Sequence, residues 1–340
     1  MLHHHAARER PGGLGLSRDP AAGAAVTGTA LVVRVDFGAC ALLGEDGTLC
    51  AATVRGRLMG RKKALGNAVV VGDRVRITTE RGQTVVDEVE PRRNAFSRRA
   101  AGEQPIEQVV AADLDQVVLV ASLADPEFRP GLADRVLAQA EHAGIPARLV
   151  LNKTDLGTAE AARELLDGYE RAGVPCHAVC ALTGAGVEPL RHALRGRRSL
   201  FVGHSGVGKS TLLNTLVPAL ELLVGQVNEK TGKGRHTTTA AVLLQPEPGL
   251  ELIDTPGVRA FGLWGIGSRD LEQAYVEFRR FLGECRFTDC RHGNEPGCAV
   301  RAAVADGQVS RLRYESFLKL REELEQEEAT LETRRRRGRP

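Results

Sequence analysis

Aromatic residues are scarce: Phe, Trp and Tyr together make up 4% of the chain. A surface that reads nucleic acid mainly by stacking bases on rings is therefore not expected. An excess of one charge is also missing, since 46 Lys and Arg face 43 Asp and Glu for a formal net charge of +3. That sum is too small to imply a polyanionic partner by itself, so the distribution of charge has to carry any such argument. No apolar run approaches the roughly 20 residues of a membrane-spanning helix. Met1–Val26 is rich in Ala, Gly, Arg and Pro and lacks the hydrophobic segment of a secretory signal, so residues 1–26 read as a disordered leader. The seven cysteines are odd in number, with a cluster late in the chain. With no signal segment, that points to a reducing cytoplasm and a metal site rather than a disulfide framework. Internal repeats are absent.

What is present falls into three blocks. Residues 27–93 read as short strands, Ala30–Phe37, Thr48–Arg55, Arg74–Thr78 and Thr84–Val89, broken by Gly44-Glu45-Asp46-Gly47 and Val71-Gly72-Asp73. Such a run predicts a small β-barrel of the OB type. A linker is expected over 94–111, with Arg92, Arg93, Arg98 and Arg99 in or beside it. Residues 112–263 alternate strand and helix: Gln116–Ser122, Pro130–Ala143, Ala147–Leu151, Thr158–Arg171, His177–Cys180, Ser199–Val202, Lys209–Leu216 and Leu250–Ile253. This is the pattern of a doubly wound α/β domain. Residues 264–333 read as helical around a Cys/His-rich loop, ending in a helix over Val309–Glu332 with Phe317, Leu320, Leu324 and Leu331 on one stripe; a basic tail, 334–340, follows.

Gly203-His204-Ser205-Gly206-Val207-Gly208-Lys209-Ser210 matches G-x-x-x-x-G-K-[ST], with a strand before it and a helix, entered through Thr211, after it. Glycines let the backbone N–H groups curl around phosphates, and the helix N-terminus adds a favourable dipole. Lys209 should reach the β- and γ-phosphates and Ser210 should ligate Mg²⁺. Asp254-Thr255-Pro256-Gly257 closes the strand Leu250–Ile253, 45 residues after Lys209. There Asp254 would hold Mg²⁺ through water, and the Gly257 N–H would meet the γ-phosphate. Asn152-Lys153-Thr154-Asp155 ends another strand. A carboxylate at Asp155 accepts from guanine N1–H and the 2-amino group together, whereas adenine would leave it unpaired. The Lys153 stem would pack on the base. Cys180-Ala181-Leu182 is similar to the S-A-[KL] loop of GTPases, with Cys180 in place of serine; a small buried residue is the plainer reading of Cys180. In ordinary GTPases the P-loop comes first, but here N-K-x-D precedes it by 51 residues, so the motif order is circularly permuted.

Cys285, Cys290, His292 and Cys298 form C-x₄-C-x-H-x₅-C. Three thiolates and one imidazole make a closed tetrahedral set, the mark of structural zinc rather than a catalytic site; unrelated buried cysteines are the alternative. Between Gly47 and Gly72 stand Arg55, Arg57, Arg61, Lys62 and Lys63 with no acidic residue. On an OB-like barrel, such a loop suits contact with RNA phosphates, while solvated surface charge is the bland reading. The same applies to Arg334–Arg337 and Arg339 in the tail, where solvated charge is favoured.

The OB-like block, the order N-K-T-D, G-H-S-G-V-G-K-S, G-R-H-T-T-T, D-T-P-G and the C-x₄-C-x-H-x₅-C module together resemble the RsgA (YjeQ) family of small-ribosomal-subunit biogenesis GTPases, over about Thr27–Glu332. The resemblance implies a multidomain α/β protein: an N-terminal OB-fold barrel, a circularly permuted P-loop GTPase domain and a C-terminal helical zinc-binding domain. It also implies a monomeric, membrane-free cytoplasmic GTPase that exchanges GTP and GDP, binds the 30S subunit and its 16S rRNA, is stimulated by it and leaves after hydrolysis. Gly234–Thr239 would be switch I, with one of Thr237, Thr238 and Thr239 on Mg²⁺. A GTP-dependent kinase and an RNA-binding protein that merely holds GTP are the competing classes. Val258 stands where many GTPases place a water-orienting glutamine. His236 is the candidate to orient or deprotonate water; contact with RNA, or shaping of the loop, is its other reading.

Overall fold

The computed structural model describes residues 26–36, 39–59, 68–100, 102, 105–218, 241–257 and 261–337. The first block is a barrel of β1 (Val26–Asp36), β2 (Ala39–Gly44), β3 (Leu49–Val54), β4 (Arg74–Glu80) and β5 (Gln83–Val89), with a short α1 (Gly56–Met59) after β3. The strands run in the order β1-β2-β3-β5-β4, and β4 returns to β1 to close the barrel. β1 serves both ends of the circuit: Val26–Leu31 pairs with β4 and Ala30–Asp36 with β2. A bulge between Val32 and Arg34 lets one strand bend between the two partners. Inward-facing Val32, Cys40, Leu42, Ala52, Val75 and Val86 fill the barrel. β2 is not apparent in the sequence, because Ala-Cys-Ala-Leu-Leu-Gly has little β-propensity; pairing on both sides, with β1 and β3, makes it a strand.

The expected linker holds a hairpin, β6 (Ala95–Arg99) with β7 (Glu107–Ala112). It is tied to both neighbouring blocks. The Ala112 N–H donates to Val71 O at 2.9 Å, and a Cβ on Gly72 would lie 2.2 Å from Ala112 O, so only glycine fits there. On the other side Phe96 packs 5.5 Å from Phe261, and the Arg99 N–H donates to Gly262 O at 2.9 Å. Arg92 is bonded to the buried Asp73 at 2.7 Å, and Arg98 donates to Gln108.

The central block is β8 (Gln116–Ser122), α2 (Pro130–His142), β9 (Ala147–Asn152), α3 (Ala159–Glu170), β10 (Cys176–Ala178), α4 (Val187–Leu194), β11 (Arg197–Gly203), α5 (Lys209–Leu216), β12 (Val242–Glu247) and β13 (Leu250–Asp254). Its sheet order is β10-β9-β8-β11-β13-β12, parallel except for β12. The parallel strands carry near-continuous Val, Leu and Ile because helices cover them. β12 is not apparent in the sequence either. It pairs with β13 and touches β1 at Arg34↔Val242, joining barrel and central sheet into one 11-stranded sheet.

The C-terminal block begins with 3-10 turns over Leu271–Ala274 and Val276–Phe281, then α6 (Ala299–Ala305) and α7 (Arg311–Arg337). Tyr275, Phe278 and Phe317 form its centre, with Phe278 and Phe317 4.9 Å apart edge to face. Phe317, Leu320 and Leu324 are buried as their stripe requires, whereas Leu331 is half-buried near the free end. The basic run Arg334–Arg337, expected in a separate tail, continues the α7 backbone. At the seam with the central block, the buried Arg313 of α7 meets Asp134 of α2 at 2.5 Å and Glu277 at 2.5 Å, its guanidinium 4.7 Å from the Tyr275 ring and 5.2 Å from that of Tyr169. Among the described residues no helix is long and apolar enough to cross a membrane.

Candidate functional site

Parallel strands point their carboxyl ends to one edge, so the loops after β9, β11 and β13 meet there whatever their order in the chain. β11 ends at Gly203, where a Cβ would lie 2.4 Å from Val120 O of the neighbouring β8. Gly206 and Gly208 take φ of +88° and +84°, and the buried Val207 anchors the loop in the core. α5 then starts with no side-chain cap at Gly208, so its first-turn N–H groups are available to an anion. Ser210 and Thr211 are exposed on that turn. Lys209 is 7% exposed and ion-paired with Asp254 at the end of β13. The turn after Asp254 is pinned by Thr255 Oγ1, which donates to Phe201 O at 2.7 Å. A Cβ on Gly257 would approach Ser205 Cα to 3.0 Å, so D-T-P-G lies directly on the P-loop.

Asn152 is buried and rivets three loops together. Its Nδ2 donates to Val207 O at 2.9 Å, and its Oδ1 accepts the Ala181 N–H at 3.0 Å. Lys153 takes a left-handed φ of +58° and its ammonium bonds Asp125 O. Thr154 Oγ1 donates to Val179 O at 3.1 Å, fixing the turn that presents the exposed Asp155. The Cys180 thiol donates to Asp155 Oδ1 at 3.1 Å, so the residue in the serine position orients the candidate base-recognition carboxylate. Two further residues are not marked by any motif. Thr215 of α5 donates to Ala181 O at 2.8 Å. Arg129, just before α2, reaches His204 Nε2 at 3.2 Å, while His204 Nδ1 donates to Ser205 O at 2.7 Å.

The Cys/His cluster is assembled as its spacing suggested. The ligand atoms of Cys285, Cys290, His292 and Cys298 all lie within 4.8 Å of one another. His292 Nδ1 is 3.6 Å from Cys285 Sγ and 3.4 Å from Cys298 Sγ, and those two sulfurs are 4.0 Å apart. A tetrahedral zinc with its usual bond lengths needs about 3.6 Å for N···S and about 3.8 Å for S···S, so the donor set fits that ion. Each sulfur also accepts a backbone N–H at 3.4 Å, from Ala299, His292 and Arg301 respectively, which favours thiolates. His292 Nε2 donates to Glu272 at 2.8 Å, leaving Nδ1 for the metal. Tyr314 Oη donates to His292 O at 2.6 Å. Glu272 and Tyr314 carry no sequence signal, because both come from outside the cysteine loop.

His236, Thr237, Thr238, Thr239 and Val258 lie outside the described residues, as do Arg61, Lys62 and Lys63. Arg55 is exposed and ion-paired with Asp87, and Arg57 stands on α1.

A family model described as RsgA GTPase matches residues 89–264. The small ribosomal subunit biogenesis GTPase RsgA of Gemmatimonas aurantiaca is 42% identical over 300 residues, covering 87% of this chain and 97% of that protein. The protein of the same name from Chlorobaculum parvum is 45% identical over 269 residues, covering 76% and 86%. Among solved structures, YjeQ from Thermotoga maritima matches with a TM-score of 0.68 at 31% identity, over 88% of this chain and 99% of that one. YloQ, described as a circularly permuted GTPase, has the same fold with a TM-score of 0.64 at 23% identity, over 88% and 96%.

Proposed function

Since the chain belongs to the RsgA GTPase family and is a GTP hydrolase, we propose that it is a cytoplasmic, monomeric factor that binds the 30S ribosomal subunit through 16S rRNA, hydrolyses GTP under stimulation by that subunit and assists its late maturation. The observation that carries the reading is the joining of Asn152–Asp155, the P-loop and D-T-P-G on one sheet edge, with the last packed on the P-loop and followed, 14 residues after Gly257, by the first turn of the C-terminal module at Leu271. A change at the γ-phosphate then reaches a second surface along a single connecting segment.

Asp155, held by Cys180, selects guanine by accepting its two donors. Lys209 carries its ammonium to the β- and γ-phosphates. Ser210, Asp254 through water and one of Thr237–Thr239 are the residues that would hold Mg²⁺, which when bound with the nucleotide would neutralise phosphate charge. One zinc on Cys285, Cys290, His292 and Cys298 would be structural, because the set is closed. The Val258 side chain has no group to orient water, and His236 takes that role. RNA contact falls to the barrel loop bearing Arg55, Arg57, Arg61, Lys62 and Lys63.

Hydrolysis measured with and without purified 30S subunits tests the reading. Strong stimulation is expected, lost in His236→Ala with GTP and subunit binding retained. Equal turnover in both conditions would overturn the ribosomal function, and intact stimulated turnover in the variant would remove His236 from its role.

A further inference from the structure

The edge of the central sheet opposite the nucleotide loops carries a second cleft, about 460 Å³, where the starts of β11 and β13 face the start of β4 and the segment from Pro91 to Arg93. Four arginines and three carboxylates line it. The carboxylates are already engaged. Asp115 accepts from Arg93 and from the Arg198 N–H, both at 2.7 Å, Asp113 accepts the Arg93 N–H at 2.7 Å, and Glu251 accepts from the buried Arg198 at 2.5 Å. Arg198 Nη1 also donates to Gly72 O at 2.9 Å, which fixes the cleft across the barrel junction. Arg74 and Arg197 remain: both are exposed, one on the barrel and one on the central sheet, and neither guanidinium has a hydrogen-bond or ion-pair partner among the described residues. Nearby Arg148 adds positive charge without an acid, bonded instead to Gln116 and His177. Burial and then the proximity of Arg197 lower its pKa, as expected where cations crowd together.

We propose that this cleft is a phosphodiester-binding surface for RNA, with Arg74 and Arg197 each taking one backbone phosphate. The guanidinium fork matches a phosphate's paired oxygens. No aromatic side chain lines the cleft to stack a base, so it addresses backbone rather than sequence. The two arginines stand on different blocks across an open cleft, an arrangement for a polymer rather than a single enclosed anion. The choice of RNA as the source of the phosphates rests on the ribosomal reading above; the site itself rests on the charges. It would give the chain a second RNA contact, separate from the barrel loop and remote from hydrolysis.

The test uses the full chain and a fluorescent RNA duplex of about 20 base pairs, titrated between roughly 50 and 200 mM KCl. Arg74→Glu with Arg197→Glu, and separately Arg74→Ala with Arg197→Ala, should weaken duplex binding at least about tenfold and make the plot of log affinity against log salt shallower by about 1.5–2. Basal GTP hydrolysis without RNA should be unchanged in both, which shows that the fold is intact. An unchanged salt slope in both double variants overturns the proposal, as does a wild-type chain that does not bind the duplex. Displacement of the duplex by millimolar pyrophosphate, equally from wild type and from both variants, would place RNA elsewhere and also overturn it. Failure of the ribosomal reading shows separately, as an absence of stimulation by 30S subunits in the wild type.

Discussion

The nucleotide edge and the seam between α2 and the C-terminal block both rely on charged side chains, and they use them in opposite ways. At the edge, Lys209 meets Asp254 and Asp155 meets Cys180, each with one described partner and with Asp155 open to solvent. In the seam, Arg313 is buried between two carboxylates and two aromatic rings. Lys209 and Asp155 each rest on a single described partner, while Arg313, which holds two blocks in place, is sealed and multiply paired. α2 belongs to both regions. Arg129 at its start touches the P-loop through His204, Asp134 in its body holds Arg313, and Gln139 bonds Trp264 through both its amide groups, at 2.8 and 3.2 Å.

The sharpest way to separate the two regions is to strip the proposed zinc from the Cys/His cluster. Structural zinc sites carry roughly 10–16 kcal/mol of apparent binding free energy that is also folding free energy. Chelation under denaturant-free conditions should melt the cysteine loop and loosen the Tyr275–Phe278–Phe317 packing, seen as loss of near-ultraviolet circular dichroism, while guanine nucleotide still binds. A C-terminal block that keeps its melting temperature without metal would show that the cluster does not support the fold. The next effect is Arg313→Ala, which leaves Asp134 and Glu277 buried without their counter-charge and should cost about 3–5 kcal/mol in urea unfolding. Adding Asp134→Asn and Glu277→Gln should recover part of that loss; a cost under about 1 kcal/mol for the single substitution would mean that the seam is held by apolar packing alone. The smallest effect on the fold belongs to Asp155→Asn. It should weaken GTP by about 1.5–3 kcal/mol per charged hydrogen bond lost, improve xanthine nucleotides and leave the unfolding midpoint unchanged. ATP competing equally with GTP in the unaltered chain would break the assignment of the edge to guanine.

Much of the nucleotide edge was legible because its instructions are local. Gly203, Gly206 and Gly208 specify a turn within a few residues, and the flanking strand and helix are visible from apolar pattern. The cysteine cluster was legible for the same reason. β2 was not, since a weakly β-forming Ala/Leu stretch becomes a strand only when two neighbours pair with it. β12 is equally a product of pairing, and the hairpin in the expected linker is held by Phe261 and Val71 from distant parts of the chain.

Sequence alone determined the N-K-T-D, P-loop and D-T-P-G motifs, their permuted order and the C-x₄-C-x-H-x₅-C spacing. Tertiary structure decided that Asn152 bonds other loops, that Cys180 aims Asp155, that Glu272 orients His292 and that Arg313 closes the seam on Asp134, 179 residues away. Motifs encode geometry that neighbouring residues impose through φ, ψ and hydrogen bonds. A buried ion pair encodes nothing locally, because an arginine and an aspartate far apart in the chain look like surface residues until packing removes the water between them.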